Sequence, residues 1–89
     1  MEFEWDEEKR LRNIEKHDID FDYAQLLFDG RRYLELRSTY ELEERWLTIG
    51  LIDDVYYTAV WTPRAGTVRV ISVRRSRNAE KRQYREIHG

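Results

Sequence analysis

Guanidinium groups crowd the last third of this 89-residue chain. From Arg64 to Gly89 eight basic residues (Arg64, Arg69, Arg74, Arg75, Arg77, Lys81, Arg82 and Arg85) face two acids, Glu80 and Glu86, a local balance of +6 in a chain whose total is −2. The remaining residues therefore sum to −8. A guanidinium is planar, stays charged and binds two oxygens at once, so such a concentration on an otherwise acidic protein suits a phosphate-bearing partner. Proton-transfer groups accompany it. Glu80 and Tyr84 fall one helical turn apart, and Lys9 and His17 share a helix face, histidine being the side chain that titrates near neutrality.

These groups need elements to hold them. Glu2 to Trp5 reads as a short strand with Phe3 and Trp5 on one face. Asp6 is placed to cap a helix with Glu7 and Glu8 in its first turn, Leu11 and Ile14 forming an apolar stripe and Lys9, Asn13 and His17 a separate polar face. Lys16 to Ile19 is the exit from this helix. Asp20 is placed to cap a second one that buries Phe21, Ala24, Leu27 and Phe28, with Asp29-Gly30 as its end. The period then changes to two: Arg32–Arg37, Arg45–Ile52, Val55–Thr62 and Val68–Val73 read as strands. Ser38–Glu44 is a polar connection, Asp53-Asp54 a turn and Pro63-Arg64-Ala65-Gly66 a hairpin loop. Ser76 or Asn78 is placed to cap a final helix on which Arg77, Glu80 or Lys81, Tyr84 and Ile87 share a face. The pattern predicts an α+β domain: a short N-terminal strand, two helices packed on a mostly antiparallel sheet of about four strands, and a C-terminal helix.

Composition bounds the rest. A single domain spanning residues 1–89 is the economical solution, because a smaller unit would bury too little apolar surface to offset its ordering entropy. With 40% apolar and 38% charged residues the chain has enough for one core under a charged skin. It has no cysteine, so disulfides and thiolate metal sites are excluded. The N-terminus is acidic where a secretory signal is basic and then apolar, and no apolar run approaches the roughly 18 residues of a membrane span. The expected location is the cytoplasm.

Read together, several stretches resemble the BrnT family of bacterial toxins, the ribonuclease half of type II toxin-antitoxin systems within the wider RelE-like group. They are Phe3-Glu4-Trp5-Asp6 with Lys9, Asn13 and Lys16-His17; Phe21 with Ala24 and Phe28; Glu44-Arg45-Trp46 leading to Ile49-Gly50; and Val68-Arg69-Val70-Ile71-Ser72 with Arg74, Glu80 and Tyr84. Asp18 stands where relatives carry glycine, and Val73 replaces a smaller residue. The resemblance implies an endoribonuclease that needs no metal or other cofactor. It also implies an antitoxin of the BrnA type with a ribbon-helix-helix domain that neutralises the toxin and makes the DNA contacts, and a toxin dimer within that complex.

Metal-free RNA cleavage needs a base for the 2′-hydroxyl, positive charge at the phosphate and an acid for the leaving 5′-oxygen. Arg64, Arg69 and Arg74 are candidates for the phosphate and Glu80 for the base. Tyr84 is a candidate acid or phosphate ligand, Lys9 and His17 are candidate proton-transfer groups, and Arg75, Arg77 and Lys81 candidate RNA contacts. RNA would lie in a groove between the last strand and the C-terminal helix. Plainer uses exist for each: salt bridges to the acidic half for the arginines, helix-start stabilisation for Glu80, packing for Tyr84, and core packing for Trp5, Trp46, Tyr56, Tyr57 and Trp61 rather than base stacking. The alternative function is a non-catalytic basic module that binds an acidic protein segment or nucleic acid.

Overall fold

The computed structural model describes Met1–Gly89. Its strands are β1 (Phe3–Glu4), β2 (Leu34–Arg37), β3 (Trp46–Ile52), β4 (Val55–Arg64) and β5 (Thr67–Arg75), and its helices α1 (Glu7–His17), α2 (Tyr23–Leu26) and α3 (Asn78–His88). The predicted meander is present from β2 to β5, and β1 joins it in parallel with β5 to give one five-stranded sheet in the order β1-β5-β4-β3-β2. The fold is the predicted α+β arrangement, with the N-terminal strand as a fifth member of the sheet.

Local chemistry sets most boundaries. The Asp6 carboxylate accepts the Glu8 N–H at 2.9 Å and starts α1. Asp18 ends it in the left-handed conformation (φ 58°), its N–H bonded to the Ile14 carbonyl, so an aspartate does here what glycine does more readily. Both tight hairpins use paired positive φ values, Asp53-Asp54 (50° and 64°) and Ala65-Gly66 (52° and 80°), which match the strand twist. Pro63 and Arg64 belong to β4 and not to the loop: β3 begins opposite Trp61, so the missing N–H of Pro63 costs no ladder bond.

Three expectations are corrected. The second helix is a single turn, Tyr23–Leu26, with Asp22 at its cap position; Asp20 stands just before it, its carboxylate bound to the Arg10 guanidinium at 2.9 and 2.8 Å while also accepting the Asp22 N–H at 3.3 Å. The final helix is preceded by Arg77, whose N–H is accepted by the Glu80 carboxylate at 2.9 Å, while Ser76 bonds to Thr58 instead of capping. The apolar stripe of α1 is also displaced: Leu11 is 55% exposed and Asn13 is the buried residue, whereas on α3 Glu80 and Tyr84 share one buried face, as their spacing predicts, with Ile87 exposed.

One sheet face carries the core, where Val68, Val70, Val73, Ala59 and Ile52 pack with Ile19, Phe21, Ala24 and Leu27. The register makes this possible. Val60 pairs with Ser72 and Trp61 with Val70, leaving Ile71 as an extra residue in β5. Without that bulge Val70 and Val73 would point to opposite faces. With it they share the core, and Ser72 and Arg74 join Arg69 on the other face, which α3 partly covers. Asn13 sits just past the bulge. Its amide donates to the carbonyls of Val73 (2.8 Å) and Ile19 (2.9 Å), and its oxygen accepts the Val73 N–H and the Ser72 hydroxyl, both at 3.3 Å. Replacing Asn13 by alanine leaves those backbone groups without partners and is expected to cost about 2–4 kcal/mol. Leu11→Ala, on the exposed side of the same helix, is expected to change stability by about 0.5 kcal/mol or less. Urea denaturation of both variants checks the contrast.

Candidate active site

On the face away from the core, Arg64, Arg69 and Arg74 stand opposite Thr67, Thr62 and Thr58. The three arginines share this face, but they follow one another along the hairpin and do not meet at a point. At about 3.3 Å per residue, with one residue taken up by the bulge, Arg69 and Arg74 are about 13 Å apart. Arg69 is ion-paired with Glu4 of the neighbouring strand, as a salt bridge to the acidic half requires, whereas Arg64 is exposed at the hairpin end.

Arg74 is held differently. Its two terminal nitrogens donate to the two Glu80 oxygens at 2.9 and 2.8 Å, and the paired side chains are only 12% and 9% exposed. Glu80 also accepts the Thr58 hydroxyl at 2.8 Å and the Arg77 N–H at 2.9 Å, and Ser76 donates to Thr58 at 2.7 Å. The gap between β5 and α3 is closed at this point by the ion pair. Burial opposes ionisation of Glu80, but the Arg74, Arg77 and Thr58 donors outweigh it and lower its pKa to about 2. A carboxylate so stabilised is a poor proton acceptor near neutrality.

His17 lies at the end of α1 with no hydrogen-bond partner of its own. Burial, followed by the nearby positive charges of Lys16 and Arg74, lowers its pKa, so it is neutral at pH 7 and available to take a proton. Lys9 is exposed two turns earlier on the same stripe. Since β1 ends opposite Arg69 and Asn13 meets Val73, Lys9 falls between Arg69 and Arg74 along β5.

The other sequence candidates are spread around this strip. Arg77 precedes α3 and is exposed, and the Lys81 ammonium is 6.0 Å from the Tyr56 ring. Arg75 points to the core face, its guanidinium 5.6 Å from the Tyr57 ring. Tyr84 is buried between Tyr56 and His88, with ring centres 5.4 and 4.6 Å away. Trp5 and Trp61 make edge-on contacts with Phe21 and Phe28, as core packing requires. Thr58 has no sequence signal beyond being polar in apolar company, Ser76 reads as a helix cap and not as a partner of Thr58, and Asn13 is marked by its place between Lys9 and His17 and by the family resemblance. An apolar cavity of about 270 Å³, lined by Leu27, Phe28, Tyr33, Trp61 and Val68 among others, opens on the opposite face and takes no part in the strip. No three His, Asp or Glu side chains gather closely enough to hold a metal ion, and no helix is long and apolar enough to cross a membrane.

Residues 5–80 match the family model described as the ribonuclease toxin, BrnT, of type II toxin-antitoxin systems. The chain belongs to the BrnT family. Comparison with curated proteins gives no match. Membership makes this BrnT chain a toxin of the ribonuclease class, with RNA as its substrate and an antitoxin as its partner. The matched span runs from Trp5 to Glu80, so it takes in α1, the bulged strand and the Arg74–Glu80 pair.

The lowered Glu80 pKa carries a stability consequence. The contribution is complete above the ordinary carboxyl value of 4.5 and disappears as pH falls toward about 2. BrnT is therefore expected to lose stability across that window. Glu80→Gln should be less stable at pH 7 and show a flatter acid limb, as read by thermal unfolding at a series of pH values.

Proposed function

We propose that this BrnT chain is a cytoplasmic, metal-independent endoribonuclease that cleaves RNA by attack of a 2′-hydroxyl on the adjacent phosphate. The observation that carries the reading is an Arg74 whose guanidinium is fixed by two hydrogen bonds to Glu80, with His17 at the end of the helix that Asn13 ties to the same strand. His17 removes the 2′-hydroxyl proton as the 2′-oxygen bonds to phosphorus; the bond from phosphorus to the 5′-oxygen breaks, and that leaving oxygen takes its proton from water. Arg74, whose terminal nitrogens are bonded to Glu80 and the Arg75 carbonyl, supplies a fixed positive charge beside the phosphate and stabilises the charge that builds there, a task that rewards a group already held in place. Arg69 and Arg64 follow the sugar-phosphate chain in one direction along β5 and the hairpin, Lys9 flanks the strip from α1, and Arg77 and Lys81 extend it past α3. In this reading Glu80 is a positioning residue, because a carboxyl with a pKa of about 2 holds Arg74 better than it accepts a proton. Tyr84 anchors α3 by packing.

A partner that neutralises such a surface must cover a cationic strip. An antitoxin of the BrnA type, with an acidic segment for the toxin and a ribbon-helix-helix domain for DNA, fits that requirement.

Purified protein is expected to cut RNA in the presence of EDTA, leaving 2′,3′-cyclic phosphate ends. The rate should rise with pH through a midpoint below the ordinary histidine value near 6.5. His17→Ala should lower kcat by roughly a hundredfold and abolish that acidic limb. Arg74→Lys, which keeps the charge but loses the fork, should also fall steeply while remaining folded. Intact RNA, bound but uncut at high protein concentration, would replace this reading with that of a non-catalytic basic module.

A further inference from the structure

The outer edge of the sheet at β2 is open, and its charge order is self-complementary. Ser38 donates its N–H to the Arg45 carbonyl at 2.9 Å. In the alternation of an antiparallel ladder this makes Leu36–Leu47 and Leu34–Ile49 the bonded pairs, so Glu35 and Arg37 turn their N–H and C=O groups outward. Both side chains are exposed, and neither takes part in any of the ion pairs of the chain. The Arg37 guanidinium rests 5.4 Å from the ring of Trp46, its cross-strand neighbour on β3, and must swing from that ring to meet a carboxylate beyond the edge. The Tyr33 carbonyl, next along the edge, already has His88 as its partner at 2.8 Å, so the open stretch is confined to the Glu35–Arg37 region.

We propose that two copies of this chain pair through their β2 strands, antiparallel about a two-fold axis at Leu36, to form one continuous sheet. In that register Glu35 stands directly opposite Arg37 of the second copy, and Arg37 opposite its Glu35. Each of these positions is a hydrogen-bonded pair that exchanges two backbone bonds. Leu36 meets its own copy on the face that carries the arginine strip. The opposite charges fall on the other face, where directly opposed cross-strand pairs attract. Moving the axis by one residue in either direction would set Glu35 against Glu35 or Arg37 against Arg37, so the charges select a single register as well as a partner. A short charged strand is also a common way to discourage edge pairing. The distinguishing feature here is the order, acid then base two residues on, which an antiparallel copy reads as its complement.

The test is sedimentation and light scattering of the purified chain over a range of concentrations, with circular dichroism to confirm folding. The wild-type protein is expected to dimerise. Glu35→Arg and Arg37→Glu, each of which creates two like-charge pairs, should weaken self-association by roughly tenfold or more. The double exchange, Glu35→Arg with Arg37→Glu, should restore it. A wild-type monomer at every concentration overturns the proposal, including one whose β2 amides gain protection only when an antitoxin is added. So does a dimer indifferent to both single reversals. None of these outcomes depends on RNA cleavage.

Discussion

A single extra residue in β5, and the side chain that fixes it, decide where every cation of the site points. Strict alternation from Val68 would send Arg69 and Arg74 to opposite faces and bury Ser72. The bulge at Ile71 reverses the phase halfway along the strand, so Val68, Val70 and Val73 all enter the core while Arg69 and Arg74 share the other face. A bulge leaves backbone groups without strand partners, and β1 pairs with only two residues of β5, so it cannot supply them. Asn13 can. One primary amide offers a donor and an acceptor with the spacing of a peptide group, and it binds both the N–H and the C=O of Val73. It acts as one residue of a missing strand, delivered by a helix. The same contact ties α1 to β5 and so brings His17, one turn further on, toward Arg74.

The electrostatics follow from that placement. Arg69 and Arg74 are not free charges: each has a carboxylate, and only Arg74 lies deep enough for its pair to be largely desolvated. Desolvation makes such a pair a doubtful source of net stability, but it fixes geometry, because two hydrogen bonds in one plane leave the guanidinium no alternative orientation. The network then extends through Thr58 and Ser76 to the start of α3, and no buried side-chain polar atom is left without a partner. The chain commits its most buried arginine to orientation and leaves Lys9, Arg64 and Arg77, which need only supply charge, exposed.

Much of the fold was legible in the sequence, and the limits are instructive. The period-two runs, the Asp53-Asp54 turn and the Asp6 cap are local signals and produced the elements they predict, whereas Asp29-Gly30 does not end the second helix, which stops at Leu26 with Leu27 as its cap. What local patterns could not convey was which helix face would turn inward. Leu11 and Ile14 suggested an apolar stripe, yet Leu11 is exposed and Asn13 buried, because the demand is set by unpaired backbone on a strand about sixty residues away. On α3 the shared face of Glu80 and Tyr84 was legible from their spacing, but its burial against Arg74, Thr58 and Tyr56 was not. For the site, the arginine concentration was visible in composition. Its sharing of one face was not, since an uninterrupted strand would separate Arg69 from Arg74.

The sheet therefore ends in two unlike ways. At β5 an edge is completed by a two-residue strand and one asparagine, and the polar face brought there becomes the border of the cationic strip. At β2 the edge is kept short, with exposed charges on either side of Leu36 and one carbonyl engaged by His88. Three strand spacings, about 14 Å, separate β2 from β5. A partner laid over Arg69 and Arg74 can thus neutralise the strip without reaching the β2 edge. The two edges differ in kind within one small sheet: the β5 side carries the arginines and their carboxylate partners, and the β2 side carries an exposed acid and base two residues apart.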